Sequence, residues 1–325
     1  MKSIDVVSVC NALMDILVEV KDDDLKSLGL TKGIMHLVDS QRQQSVFDYV
    51  RGRPQVTELG GSSLNAIRTL AALGHKTVFA GLVNDDTYGS AIKLRLESLG
   101  IRSMLGGHES ESTGTCLILI TPDGERTMNT NLGASRLYDS SHIPHKEIEA
   151  SRMLHFCGYQ WDTVEQKKAV AEAIKTGKLR KTLISFDLAD PFVVSRNRED
   201  FIELIAESAD LVFANKEEAK LLFNSTPEEA GRRIAATGAT AVIKLGSEGA
   251  IVCRASETIH ISPVSTKVVD TTAAGDMFAA GFLHGLLLDK DLATCGLYAA
   301  TLASDVISRV GATVSREALA KVSRL

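Results

Sequence analysis

The chain has no surplus of positive charge, no clustered cysteines and no apolar run of membrane-spanning length. Its 325 residues carry 36 Lys and Arg against 41 Asp and Glu, a formal charge of −5. That balance gives no general grip on a nucleic-acid backbone or an anionic membrane. No basic helix, winged element or zinc-finger spacing is present to supply one locally. The most apolar stretch, 277–288, is about half the length of a membrane helix and contains His284. Asp5 interrupts any signal-peptide core at once, so a cytoplasmic location is expected. Cys10, Cys116, Cys157, Cys253 and Cys295 stand far apart with no CxxC pair, as scattered core thiols do under reducing conditions. The eight histidines form no ligand-like group that would suggest zinc. Internal repeats, low-complexity tracts and a Walker A loop are also lacking.

What remains is the composition of an ordinary globular enzyme, 44% hydrophobic and 24% charged. The length suits one large core carrying a small second unit. Short strands are expected at 4–9, 16–20 and 35–38, the last two between Asp, Lys and Gly rather than helix formers. From Gly60 the pattern alternates: helix 62–73 stopped by Gly74, strand 77–81, then helix 88–99 stopped by Gly100. Strands at 114–121 and 126–130 flank a Pro122-Asp123-Gly124 turn, a hairpin signal. Strands at 153–157, 182–187, 211–214 and 241–244 then alternate with amphipathic helices. A hairpin at 250–261 and two helices at 275–287 and 291–306 follow. The expectation is an α/β chain, a single domain over 1–325, with a mostly parallel central sheet between helix layers. A small β-sheet lid is expected from insertions at about 12–50 and 104–132.

The most informative segment is Asp270-Thr271-Thr272-Ala273-Ala274-Gly275-Asp276, which opens an apolar helix. Small residues leave the amides of the first turn open, and a helix N-terminus attracts an anion. A carboxylate at that mouth repels phosphate unless it serves an incoming nucleophile. Asp276 is therefore read either as a helix cap or as the general base for a substrate hydroxyl, and its place favours the base.

This segment resembles the second signature of the PfkB carbohydrate kinases, the ribokinase and adenosine kinase group. The resemblance implies a three-layer ribokinase-like α/β/α fold and ATP-dependent phosphoryl transfer to an alcohol. Asp276 would deprotonate the acceptor, and the amides of Ala273, Ala274, Gly275 and Asp276 would form the anion hole. Gly60-Gly61-Ser62-Ser63-Leu64-Asn65 looks like the first signature. The glycines permit close backbone approach, and Asn65 can donate and accept toward a substrate hydroxyl. Asn11-Ala12-Leu13-Met14-Asp15 is similar to the stretch whose aspartate holds vicinal ribose hydroxyls, a role that falls to Asp15. Asn215-Lys216-Glu217-Glu218 matches the Asn-x-x-Glu motif, which implies Mg²⁺ held through water by Glu218 with Asn215 beside it. Lys244, Gly246 and Gly249 lie in a stretch resembling the nucleotide loop, with Lys244 facing either phosphate or solvent. Ala303 and Gly311 fall in the segment resembling the adenine-pocket wall. Asp270, Thr272, Val306 and Gly311 match the places where ribokinase-like members bind K⁺.

For the acceptor, Gly124-Glu125-Arg126-Thr127-Met128-Asn129-Thr130-Asn131-Leu132-Gly133-Ala134 resembles the adenosine kinase branch. Met35, Met128, Leu132 and Phe156 are candidates for an apolar slab against a base, and Arg126 for either substrate contact or a surface salt bridge. The expected reaction is transfer to the 5′-hydroxymethyl of a purine nucleoside, adenosine first, which implies purine salvage. A free pentose or hexose is the second reading, and a non-catalytic nucleoside-binding relative the third. The branch implies a monomer rather than a lid-mediated dimer, with no nucleic-acid or membrane partner.

Overall fold

The computed structural model describes residues 2–324. In chain order the strands are β1 (Ile4–Val9), β2 (Leu13–Glu19), β3 (Met35–Leu37), β4 (Gln55–Gly60), β5 (Thr77–Val83), β6 (Arg102–Gly107) and β7 (Thr113–Ile120). They continue with β8 (Arg126–Gly133), β9 (Ser151–Cys157), β10 (Leu183–Asp187), β11 (Leu211–Asn215), β12 (Thr240–Lys244), β13 (Ala250–Arg254) and β14 (Glu257–Ile261). Nine of them form one sheet in the order β14-β13-β12-β11-β10-β9-β1-β5-β6. Every pair from β12 to β6 is parallel, and only the β12–β13–β14 end runs antiparallel.

Alternate residues of these strands feed two separate cores. Val6, Phe79 and Phe213 point into one, covered by helices Ser62–Ala72, Ala274–Leu287 and Leu292–Val306. Val7, Ala80 and Val212 point into the other, under helices Val164–Leu179, Arg198–Glu207, Lys216–Phe223 and Pro227–Ala235. Burial on both faces explains why these strands read as continuous Val/Ile/Phe runs. The three-layer fold expected from the sequence is the one found. Among the described residues, no helix is long and apolar enough to cross a membrane.

The smaller sheet has the order β3-β8-β7-β2-β4. It takes in β4 at residues 55–60, beyond the expected 12–50 insertion. Residues 102–107, partly inside the expected 104–132 insertion, join the central sheet as β6 instead. Both strands lie at sheet edges and are largely half-buried or exposed, so neither carries a full apolar alternation. The edge strands β3 and β4 expose Leu37 (42%) and Val56 (58%).

Candidate active site

A cavity of about 700 Å³ opens at the carboxyl ends of the parallel strands and beneath the smaller sheet. That edge is where parallel α/β sheets collect ligands, because the strand-to-helix turns there present side chains and helix N-termini together. Three polar groups stand in a row on it: Asp187 ends β10, Asn215 ends β11 and Lys244 ends β12, with Asn215 and Lys244 in direct register. All three line the cavity.

Helix Ala274–Leu287 points its N-terminus into this space. Ala273 precedes it at φ 57°, the left-handed conformation that costs a residue with a Cβ about 1–2 kcal/mol. Thr271 to Asp276 all line the cavity. The amides of Gly275 and Asp276 belong to the first turn, where no intrahelical acceptor exists. Lys244 reaches over the same turn: its Nζ lies 3.1 Å from where a Cβ on Gly275 would stand. It pairs with Asp187 at 3.2 Å. Burial alone would lower the Lys244 pKa, but Asp187 and Glu218 more than offset this and hold it raised.

Asp276 is half-buried and fixed by two donors. Ser62 Oγ donates to Oδ1 at 2.6 Å, and Asn65 Nδ2 donates to Oδ2 at 2.8 Å. Burial raises its pKa to about 6, against the lowering effect of those two hydrogen bonds. The oxygen of the Asn65 amide is buried without a partner. Ser62 and Asn65 share the helix that starts after Gly61, whose φ of 109° and approach to the Asn11 carbonyl exclude a side chain.

Asp15 lies on β2 between Glu58 of β4 and Cys116 of β7. A Cβ on Gly60 would overlap the Asp15 carboxylate, so that glycine makes room for it rather than lining the cavity. Burial drives the Asp15 pKa up to about 7, with Arg68 and Arg126 pulling down and Glu58 and Asp276 pushing up. Around it, Leu13, Met35, Ile118, Met128 and Leu132 form an apolar wall, Met35 directly opposite Met128 in the sheet.

Several expected residues act differently. Asn11 lines the cavity, yet its Oδ1 accepts from Gln160 and Gln166 at 2.9 Å each, and its Nδ2 donates to the Tyr159 carbonyl. It braces the wall more than it offers a free group. Asn215 and Glu218 form a reciprocal cap on helix Lys216–Phe223, with both Glu218 oxygens accepting from Asn215 at 2.7 Å. Burial raises the Glu218 pKa to about 7 against the pull of Lys244. Phe156 is not on the wall: it packs in the second core against Phe186 and Trp161, and Trp161 itself reaches the cavity. Gly246 lines the cavity, whereas Gly249, Ala303 and Gly311 do not. Gly249 turns the chain at φ 88° against the Ile261 carbonyl, and Ala303 packs against the first core.

Arg126 makes no surface salt bridge. It is buried, with Nη2 2.6 Å from Asp270 Oδ2. The Asp270 carboxylate also accepts from the amides of Thr272 at 2.9 Å and Gly311 at 3.0 Å. Val269 and Asp270 donate to the Ile307 carbonyl, so the segments holding Asp270, Thr272, Val306 and Gly311 are indeed tied together. These residues do not fit potassium, however, because a second cation beside Asp270 would meet the guanidinium already there.

Asp187 and Ser62 were not singled out from the sequence. A carboxylate ending a parallel strand is a signal for Asp187. Ser62 has none beyond its place next to Gly61.

Against known proteins, a family model described as pfkB family carbohydrate kinase matches residues 29–319. The crystal structure of a probable sugar kinase protein from Rhizobium etli CFN 42 is 30% identical, with a TM-score of 0.93 over 100% of this chain and 99% of that one. That of adenosine kinase from Sinorhizobium meliloti is 31% identical, with a TM-score of 0.91 and the same coverage. A 5-dehydro-2-deoxygluconokinase of Listeria monocytogenes is 28% identical over 77% of this chain and 81% of its own length. With both signatures inside the matched span and the fold shared end to end, the chain belongs to the pfkB family of carbohydrate kinases.

Proposed function

We propose that this kinase moves the γ-phosphoryl group of ATP to the 5′-hydroxymethyl of a purine nucleoside, adenosine first, with Asp276 as general base. The observation that carries this reading is the half-buried Asp276 carboxylate, held by Ser62 and Asn65 at the head of a helix whose first-turn amides face the cavity. The same cavity holds a second half-buried carboxylate, Asp15, suited to a vicinal diol, and an apolar wall suited to a base.

In this mechanism Asp15 takes the 2′- and 3′-hydroxyls, and Asn65 holds the Asp276 carboxylate toward the acceptor through its amide N–H. The acceptor oxygen then faces Asp276, which receives its proton as the oxygen attacks phosphorus in line. A carboxyl pKa of about 6 leaves Asp276 ionised at neutral pH, yet more basic than an ordinary aspartate. The amides of Gly275 and Asp276 meet the charge that develops on the transferring group, with Lys244 beside them, while the Ala274 amide is held by the Thr271 carbonyl. No covalent phosphoenzyme is required. The donor's adenine is assigned beyond the cavity, toward Gly249, Ala303 and Gly311. Closure of the smaller sheet would exclude water.

Magnesium fits the floor of this site. Asp187, Glu218 and Asp276 outnumber Lys244 there and offer oxygen donors to a hard cation through water; among the described residues no three such groups cluster closely enough to ligate it directly. Glu218, steadied by Asn215, would hold it. When bound it would offset charge on the phosphate oxygens.

A free sugar is the second reading, favoured by the R. etli and L. monocytogenes relatives, whose names are those of kinases of sugars or sugar-like acids. ADP release with ATP and magnesium across adenosine, guanosine, inosine, cytidine, ribose and fructose separates the two. Adenosine-dependent turnover that collapses in Asp276→Asn supports the proposal. Turnover on a free sugar but on no nucleoside overturns the acceptor, and acceptor-dependent turnover that survives Asp276→Asn overturns the base.

A further inference from the structure

We propose that Arg126 is a positioning residue for phosphoryl transfer: it is the resident counter-ion of Asp270 and pins the smaller sheet to the segment that opens the anion-binding helix. The inference rests on the kinase reading above. Arg126 begins β8, in the smaller sheet, whereas Asp270 lies just ahead of the Thr271–Ala273 turn. Their side chains are 8% and 5% exposed and 2.6 Å apart.

The Asp270 carboxylate joins three parts of the chain. It takes Arg126 from the smaller sheet, the Thr272 amide from the turn before the helix, and the Gly311 amide from the loop after helix Leu292–Val306. Moving Asp270 therefore moves Thr272, and with it the amides at 275 and 276 that would receive the phosphoryl oxygens. A misplacement of about 1 Å in such groups costs on the order of a hundredfold in rate. A buried carboxylate also needs a compensating charge, and Arg126 supplies it from the far side of the cavity. Asp15 feels the same guanidinium, so the acceptor end and the phosphoryl end share one cation. With that cation built into the chain, the site has no need of a monovalent metal ion.

The test compares the wild type with Arg126→Lys, Arg126→Ala and Asp270→Asn in equal concentrations of KCl, NaCl and choline chloride. Acceptor-dependent ADP release and the Tm are both read. The wild type should turn over and melt alike in all three salts. Arg126→Ala should lose roughly ten- to a hundredfold in kcat, recover part of it with millimolar guanidinium ion, and be substantially rescued by Arg126→Lys. Specific stimulation or stabilisation of the wild type by K⁺ would overturn the proposal, as would full turnover in Arg126→Ala. A wild type without turnover refutes the kinase reading instead. The pair is then judged by Tm alone, and an unchanged Tm in both Arg126→Ala and Asp270→Asn rejects it.

Discussion

Replacing Asp276 by asparagine keeps the shape of the side chain and removes its charge, and the two consequences run in opposite directions. Turnover should fall by 10²–10⁴-fold, the usual contribution of a positioned base. Stability should rise. Burial lifts this carboxyl from an ordinary aspartate's 3.8 to about 6, so in the folded protein its charge is held at a cost. That difference corresponds to about 3 kcal/mol at 1.36 kcal/mol per pH unit. The sign follows from proton binding: between about pH 4 and 6 the folded state holds the proton more tightly than the unfolded chain. Wild-type stability therefore falls as pH rises through that window. The asparagine variant is free of this loss. Its advantage should be near zero below pH 4, grow through the window and level off at about 3 kcal/mol above pH 6. Its new N–H group can be met by turning the Asn65 amide, whose oxygen is buried and unpartnered. Asp15 would gain as well, because the Asp276 charge pushes its pKa up. Urea unfolding at pH 4.5, 6 and 8 reads the difference directly. A variant less stable than the wild type at pH 8, or one whose advantage does not shrink toward pH 4.5, would refute the reasoning.

Other outcomes follow from the same geometry. Log kcat/KM should fall on the acid side of about pH 6, because only ionised Asp276 accepts a proton; a profile flat down to pH 5 contradicts that role. Gly60→Ala places a Cβ 2.5 Å from Asp15 Cγ and should raise the KM for the acceptor roughly tenfold with the KM for ATP unchanged; equal effects on both would assign Asp15 elsewhere. Gly281→Ala drives a Cβ to 2.6 Å from the Ala299 Cα, where two helices meet backbone to backbone. It should cost roughly 1–3 kcal/mol in urea unfolding.

The parts of the molecule that announce themselves in sequence are those whose chemistry is local. Three small residues, Ala273-Ala274-Gly275, followed by Asp276 and an apolar helix describe an anion-binding turn before any fold is known. The buried strands do so too, because β1, β5 and β9 to β12 are apolar on both faces. The strands β4 and β6 escape notice because edge position leaves Gln55, Thr57, Arg102 and Ser103 in contact with water. Phe156 is misplaced for a different reason. A strand side chain can face either core, and nothing local says that Phe156 joins Phe186 while its neighbour Cys157 faces the other way. Long-range pairs are the least legible. Lys244 finds Asp187, and Arg126 finds Asp270, only because the topology brings distant strand ends and a hairpin to one place. Asn215 and Glu218 illustrate a further limit, since a motif associated with metal also satisfies the start of a helix.

The smaller sheet is built from two excursions of the chain, with β2 to β4 leaving between β1 and β5 and β7 with β8 leaving between β6 and β9. Its central contact, β2 alongside β7, pairs Leu13 with Gly114 and Glu19 with Ile120 across the whole intervening unit. Such a pairing repays its loop-closure entropy only after β1, β5 and β6 are already side by side. The β2–β7 pairing of the cover is therefore expected to follow the meeting of β1, β5 and β6. The cover can also come apart on its own, as a separate cooperative unit. The order of the strands thus makes the cover a unit that can separate from the central sheet without unravelling it.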